Sequence, residues 1–142
     1  ARTVARLERS LDDYQFNTFA DTLYDFVWHD VCDRYLEMIK PTVDDDHDQQ
    51  VVLVSVLDAV LRIMHPVCPF VTETLWPHVG AARCGDIAGL ELPTADLLAG
   101  AAWPVVDAGL DDTDAIELWQ RADQLIGAIR TVRGVGYLYD SS

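Results

Sequence analysis

Histidines and cysteines near the middle of the chain are the first candidates for chemistry. His65, Cys68, His78 and Cys84 could together supply four zinc ligands, but their spacing matches none of the common structural zinc patterns. Cys68 lies in an apolar segment, which favours a packed thiol. The sequence also lacks a glycine-rich phosphate loop, a GxSxG motif and an HExxH pair. We therefore expect no catalytic residues and no metal site in this chain.

Acidic residues raise the same question in two places. The run from Asp44 to Asp48 contains His47, but an EF-hand loop requires a central glycine and a terminal glutamate, and both are absent. A solvated loop whose last carboxylate, Asp48, caps the next helix is the better interpretation. Glu73 has no recognisable acid or base partner, so we interpret it as a surface residue rather than a general base.

Charge is the most unusual property of the composition. The chain has 24 acidic and 10 basic residues, a net charge of −14, and Lys40 is its single lysine. An aspartate-rich composition of this kind is typical of a salt-adapted surface. Contact with a polyanion would then require local positive charge. Arg2, Arg6 and Arg9 share one face of the first predicted helix, and the alternative interpretation of that face is a solvated surface with neighbouring acids such as Glu8.

The cysteines and the apolar runs bear on the location of the protein. Cys32, Cys68 and Cys84 are odd in number and are not spaced as a disulfide framework, which favours a reducing, cytoplasmic setting. No run of residues is apolar and long enough to span a membrane, and none has the flanks of a signal peptide. The chain opens on Ala1, in a helix already under way, so we expect a piece of a longer protein.

The stretch from Phe16 to Pro41 is expected to organise the fold because it is apolar on two faces. One stripe at helical spacing comprises Phe16, Phe19, Leu23, Phe26, Val27 and Val31. A second comprises Tyr24, Trp28, Cys32, Tyr35 and Ile39. A helix that is apolar on two sides packs between neighbouring elements. The pattern therefore predicts a central helix with Trp28 in the core.

Helical periodicity recurs along the rest of the chain. The pattern predicts five helices, at roughly residues 2–13, 17–40, 49–65, 69–77 and 112–133. Gly, Ala, Pro and Asp are frequent between residues 80 and 110, which predicts a loop-rich connection with one or two short strands. We therefore expect an all-α helical bundle in a single domain, residues 1–142.

Two segments of the sequence resemble a known family. Residues 61–76, LRIMHPVCPFVTETLW, resemble the His-Pro, Pro-Phe, Glu and Leu-Trp signature of the anticodon-binding domain in class I aminoacyl-tRNA synthetases for leucine, isoleucine and valine. Residues 26–41, FVWHDVCDRYLEMIKP, resemble the valyl version of that domain. The segments YQFNTFADTLYDF, AAWPVVD and AIRTVRG occur in the same order as in that group. Arg34 replaces a common Trp, and Thr74 replaces a frequent Glu.

The resemblance implies a tRNA-binding domain without a catalytic site or cofactor of its own. The parent enzyme would be a valyl-tRNA synthetase that uses ATP and Mg²⁺, and its catalytic and editing domains would be partners in the same polypeptide. DNA and membrane partners are not expected. The signature residues expected to be structural are His65, Pro66, Pro69, Phe70 and Trp76. One alternative is the same domain of an isoleucyl- or leucyl-tRNA synthetase, and another is a helical protein-protein adapter.

Candidate tRNA contacts follow from charge together with this resemblance. The cations expected to meet phosphates are Arg2, Arg6, Arg9, Arg34, Lys40, Arg130 and Arg133. Tyr14, between the first two helices, offers an aromatic face for an unstacked base. The adapter alternative would be favoured if the folded domain proved evenly acidic, with Arg2, Arg6, Arg9 and Lys40 scattered over its surface.

Overall fold

The computed structural model describes residues 1–107 and 109 of the chain. The chain divides into two units after Leu110, and the described residues lie in the first, Ala1–Leu110. The predicted helix at residues 112–133 lies outside the described residues, as do Arg130 and Arg133. The single-domain interpretation of residues 1–142 therefore stays a prediction.

Helices follow one another over residues 1–82, as the periodicity predicts. They are α1 (Arg2–Asp12), α2 (Phe16–Tyr24), a π-helical segment (Asp25–Leu36), α3 (Glu37–Ile39), α4 (His47–Met64) and α5 (Pro69–Ala82). The π-helical segment joins α2 to α3 without a break, and these three elements are called the central helix below. The all-α prediction is confirmed, because the sheet in the described part of the chain has two strands of two residues each.

The main core forms where α1, the central helix and α4 meet. Leu7, Phe19, Leu23 and Ile63 are buried together. Half-buried side chains surround them: Leu11, Phe26, Val27, Met64 and Trp103. Apart from Trp103, these residues occupy the apolar positions that helical spacing places on one face of each helix. Local periodicity is therefore enough to account for this part of the core.

The central helix buries one of its two predicted apolar stripes and leaves part of the other exposed. Trp28 is 53% exposed and Tyr24 is 59% exposed, so the expectation that Trp28 lies in the core is wrong. The π-helical segment buries Val31, which belongs to the first predicted stripe together with Phe19 and Leu23. Residues of α1 and α4 both pack on this stripe. The first stripe therefore faces the core as predicted, whereas Tyr24 and Trp28 of the second stripe do not.

An aspartate caps the start of α4, but it is not the predicted one. The Asp46 carboxylate accepts a hydrogen bond from the backbone N–H of Gln49 at 3.1 Å, and the helix begins at His47. Asp48 falls in the first turn instead, where a negative charge interacts favourably with the helix dipole. The cap satisfies one of the N–H groups that the first turn would otherwise leave without a partner.

A buried ion pair lies further along α4. Arg62 Nε donates to Asp58 Oδ1 at 2.5 Å, and their side chains are 1% and 7% exposed. The other two guanidinium nitrogens donate to the carbonyl oxygens of Ala102 at 2.8 Å and Pro93 at 2.7 Å. The guanidinium carbon also lies 5.0 Å from the ring centroid of Trp76. Arg62 therefore ties α4 to α5 and to two points of the connection that follows.

The fourth predicted helix, α5, continues past Pro77 to Ala82, beyond its predicted end at residue 77. A proline inside a helix removes one hydrogen bond and therefore disfavours such a continuation. Val79, in the turn beyond Pro77, packs against the buried cluster of Leu61, Trp76 and Leu98. This tertiary contact stabilises the last turn.

The connection after α5 is loop-rich and has two short strands, as predicted. β1 (Leu90–Glu91) pairs antiparallel with β2 (Val105–Val106), with Leu90 opposite Val106. A single turn of 3₁₀-helix, Leu98–Gly100, lies between the two strands in sequence. The connection is held in place by the helices rather than by its own sheet, because Arg62 and the Leu61 cluster contact it at several points.

Candidate nucleic-acid interface

Two of the predicted cations line one cleft. Arg2 and Arg6 are four residues apart on α1, which places them on the same side of the helix, and both are exposed. With Thr3 they contribute to a cleft of about 190 Å³. The remaining lining residues come from the central helix and are Thr22, Asp25, Phe26 and Asp30. The cleft therefore lies where α1 packs against the central helix.

Arg34 is connected to this cleft through Asp30. Arg34 Nη1 donates to Asp30 Oδ1 at 2.5 Å, one turn earlier in the central helix. Asp30 itself lines the cleft, so the structure gathers Arg2, Arg6 and Arg34 in one region. The carboxylates of Asp25 and Asp30 offset part of this positive charge. The sequence predicts the three arginines, and the four-residue spacing of Asp30 and Arg34 predicts their ion pair. It does not show that Asp25 and Asp30 line the cleft.

Arg9 and Lys40 lie outside the cleft lining. Arg9 follows Arg6 by three residues on α1, and its Nε donates to the carbonyl oxygen of Ala5 at 3.2 Å. Lys40 directly follows the last residue of α3, and its Nζ lies 3.3 Å from a Glu37 carboxylate oxygen. The predicted cations on the described residues therefore form one group around α1 and the middle of the central helix, with Lys40 at the end of that helix.

Tyr14 lies between α1 and α2, as predicted. Its φ of 55° is left-handed, a conformation that often ends a helix but is uncommon for a bulky residue. The Tyr14 side chain is 79% exposed and meets Phe16 edge to face, with 6.4 Å between the ring centroids. Phe16 was expected in the apolar stripe and is 63% exposed instead. The junction therefore presents two aromatic rings on which an unstacked base could stack.

The signature segment fixes the loop-rich connection in place. Both carboxylate oxygens of Glu73 accept backbone N–H groups, from Leu98 at 3.1 Å and Ala99 at 3.2 Å. The interpretation of Glu73 as a simple surface residue is therefore wrong. Trp76 is buried, as expected, and its Nε1 donates to the carbonyl oxygen of Ala95 at 2.9 Å. These partners are 19 to 26 residues away in sequence, so local spacing could not reveal them.

Some of the other signature residues are packed within the fold, and others are exposed. His65 Nδ1 lies 2.9 Å from the hydroxyl of Thr72, which is buried. Pro69 is the first residue of α5, a position that suits proline. Phe70, expected to be structural, is 87% exposed. Packing within the described residues therefore does not account for Phe70.

Other titratable groups add little chemistry to the described part of the chain. Among residues 1–107 and 109, no three His, Cys, Asp or Glu side chains are placed to share a metal ion. Cys32, Cys68 and Cys84 are free thiols. Burial raises the pKa of the Tyr35 phenol above its usual value of 10.0, so this phenol keeps its proton at neutral pH.

No helix within residues 1–107 and 109 has both the length and the apolar character needed to cross a bilayer.

Named relatives of the chain are valine-tRNA ligases. That of Neisseria meningitidis serogroup B is 36% identical over 138 residues, which are 94% of this chain and 14% of that protein. That of Thermotoga maritima is 36% identical over 134 residues, 93% of this chain and 14% of that protein. The valine-tRNA ligase of Rhodopirellula baltica is 34% identical over 129 residues, which are 87% of this chain and 12% of that protein. The chain therefore spans only about a seventh of the length of these relatives.

A family profile covers more of the chain than any local motif does. The profile described as the anticodon-binding domain of tRNA ligase matches residues 1–138. The match agrees with the helical fold and confirms the resemblance carried by residues 26–41 and 61–76. The chain belongs to the family of anticodon-binding domains of tRNA ligases.

Proposed function

We propose that this chain binds the anticodon arm of a valine tRNA within a valine-tRNA ligase. The family implies tRNA binding, and the names of the relatives support the choice of valine. The parent enzyme would act in the cytoplasm and attach valine to its tRNA with ATP and Mg²⁺. Those groups would bind in a catalytic domain elsewhere in the polypeptide, which would also contain an editing domain. This chain would contribute binding and orientation, and no bond-making step.

The grouping of Arg2, Arg6 and Arg34 is the observation that carries this proposal. Guanidinium groups on one face can neutralise neighbouring phosphates of an RNA backbone, and the exposed ring of Tyr14 can stack on an unpaired base. A chain of net charge −14 repels RNA overall, so such a local group is needed. It also supports tRNA binding over the adapter alternative, which would be favoured by scattered cations.

Replacing Arg6 with alanine in the full-length synthetase is expected to lower kcat/KM for tRNA by about tenfold. The substitution removes one charge-assisted contact to phosphate. Contacts of this kind contribute about 1.5 to 3 kcal/mol. Because Arg6 is exposed to solvent, we expect a value at the lower end of this range, which corresponds to about a tenfold change in rate. The slope of log kcat/KM against log KCl concentration should also become less steep by a little under one. The measurement is steady-state aminoacylation at several salt concentrations.

Thr74→Glu is the matched control for this experiment. It also changes the net charge by one unit in the negative direction, but it lies on α5, which packs mainly against α4. Thr74 is exposed, and glutamate is common at the equivalent family position, so the fold should tolerate the change. Equal losses for Arg6→Ala and Thr74→Glu, or an unchanged salt slope for Arg6→Ala, would contradict the proposed contact.

A further inference from the structure

The cleft between α1 and the central helix has a buried hydroxyl group in its wall. Thr22 lines this cleft and is 6% exposed. Its Oγ1 is buried, and no group in the described part of the chain forms a hydrogen bond with it. A buried hydroxyl without a partner destabilises a fold. Because native proteins contain few such groups, the Thr22 hydroxyl requires an explanation.

Other hydroxyls on the described helices show the usual way to satisfy such a group. Four of them each donate to the backbone carbonyl oxygen four residues earlier, at 2.8 to 2.9 Å: Ser10, Ser55, Thr72 and Thr74. This local bond needs no ligand. The carbonyl of Thr18 has the same spacing from Thr22, but the Thr22 hydroxyl does not bond to it. The Thr22 hydroxyl is therefore left for a group that enters the cleft.

The cleft has room for a group much larger than a water molecule. Its volume is about 190 Å³, whereas one water needs roughly 10 to 15 Å³. Asp25 and Phe26 follow Thr22 by three and four residues, which places all three on one side of the central helix. The half-buried Phe26 ring gives the cleft an apolar wall. The exposed Asp25 carboxylate adds hydrogen-bond acceptors.

An unpaired RNA base has the groups that match these walls. Cytosine and adenine each present an amino donor beside a ring-nitrogen acceptor on the Watson–Crick edge. The Asp25 carboxylate can accept from the amino group, and the Thr22 hydroxyl can donate to the ring nitrogen. Uracil has a carbonyl oxygen in place of the amino group, so two acceptors would face each other at Asp25. Arg6, on the opposite wall, can meet a phosphate of the same RNA.

We propose that Thr22 and Asp25 form a pocket for one unpaired base of the anticodon loop, and that this pocket selects cytosine or adenine over uracil. The proposal rests on the proposed function, which makes RNA the ligand of this cleft. Phosphate contacts such as that expected of Arg6 position an RNA but do not read its sequence. Thr22 and Asp25 are therefore the residues of the cleft that determine specificity.

Thr22→Val in the full-length synthetase tests the role of the hydroxyl. Valine keeps the shape of the side chain and replaces the hydroxyl with a methyl group. The value of kcat/KM for tRNA should fall by about fivefold, as for the loss of one neutral hydrogen bond. The urea midpoint of the chain should not fall, because the hydroxyl has no described partner to lose. Thr74→Val is the matched control, since Thr74 is exposed on α5, outside the cleft lining, and its kcat/KM should not change.

Asp25→Asn tests the choice of base. Asparagine has a similar size, but its amide can also donate to a carbonyl oxygen of uracil. A set of valine tRNAs is prepared, each with one cytosine or adenine of the anticodon replaced by uracil. With the unchanged enzyme, uracil at the position that enters the pocket should lower kcat/KM by about tenfold or more. With Asp25→Asn, the loss at that position should be at least threefold smaller, and the losses at the other positions should stay the same.

Three outcomes would overturn the proposal. An unchanged kcat/KM for Thr22→Val would show that the hydroxyl does not contact the RNA. A fall in both kcat/KM and the urea midpoint would make its role structural. Equal losses from uracil in the unchanged enzyme and in Asp25→Asn, at every position, would show that the cleft reads no base. Arg6→Ala would still lower kcat/KM in each of these cases if the chain binds tRNA, so a failure of the pocket is distinguishable from a failure of the proposed function.

Discussion

Replacement of Arg62 by methionine is expected to lower the free energy of unfolding of the chain by about 3 to 5 kcal/mol. The guanidinium is buried and pairs with the buried carboxylate of Asp58. Methionine fills similar volume but leaves that carboxylate without a partner. It also leaves the carbonyl oxygens of Pro93 and Ala102 without their donor. A domain with ordinary stability of about 5 to 15 kcal/mol would be close to unfolding.

Lys40→Met and a double variant provide the controls for Arg62. Lys40 pairs with Glu37 at the surface, where an ion pair contributes about 0 to 1 kcal/mol. Changing Asp58 to leucine together with Arg62→Met removes both charges, so the double variant should lose less than Arg62→Met alone. The measurement is urea denaturation followed by circular dichroism. If Arg62→Met and Lys40→Met had the same midpoint, the buried network would not contribute as described.

Phe19→Ala is expected to destabilise the chain by a similar amount, about 3 to 5 kcal/mol. Phe19 is 2% exposed and lies at the centre of the cluster with Leu7, Leu23 and Ile63. Its removal loses the transfer free energy of the ring and leaves a cavity that α1 and α4 cannot close without moving. The same denaturation measurement reports the loss.

Trp28→Ala is the matched aromatic truncation. About half of the Trp28 side chain is exposed, and no closed cavity forms when a surface ring is removed, so the expected loss is only about 1 to 2 kcal/mol. A loss for Trp28→Ala equal to that for Phe19→Ala would place Trp28 in the core, as the α-helical periodicity alone predicts.

Local patterns account well for the helices and for part of the core. The apolar spacing of Leu7, Phe19 and Leu23 predicts their helices, and these residues form the main cluster together with Ile63. The pattern fails at Tyr24 and Trp28. An apolar stripe shows which residues share one face of a helix, but not whether a neighbouring element packs on that face.

Contacts distant in sequence account for the rest. Glu73 binds the backbone at Leu98 and Ala99, and Arg62 reaches residues 31 and 40 positions away. The sequence positions of Glu73 and Arg62 predict only the face of the helix on which each side chain lies. Their distant partners are backbone groups, which any residue type provides, so the sequence does not identify them. The candidate RNA site was likewise predicted only in part. The arginines on α1 follow from their spacing, whereas the participation of Asp30 depends on how α1 packs against the central helix.

A cross-linking measurement tests the central claim, that this chain contacts the anticodon arm through α1. In the full-length synthetase, the photo-crosslinking residue p-benzoylphenylalanine replaces either Arg6 or, as control, Thr74. After irradiation with the valine tRNA, the attached nucleotides are mapped by reverse transcription. We expect cross-links from position 6 to the anticodon arm, at a yield well above that from position 74. Cross-links from position 6 to the acceptor arm, or yields that do not differ between the two positions, would contradict this claim.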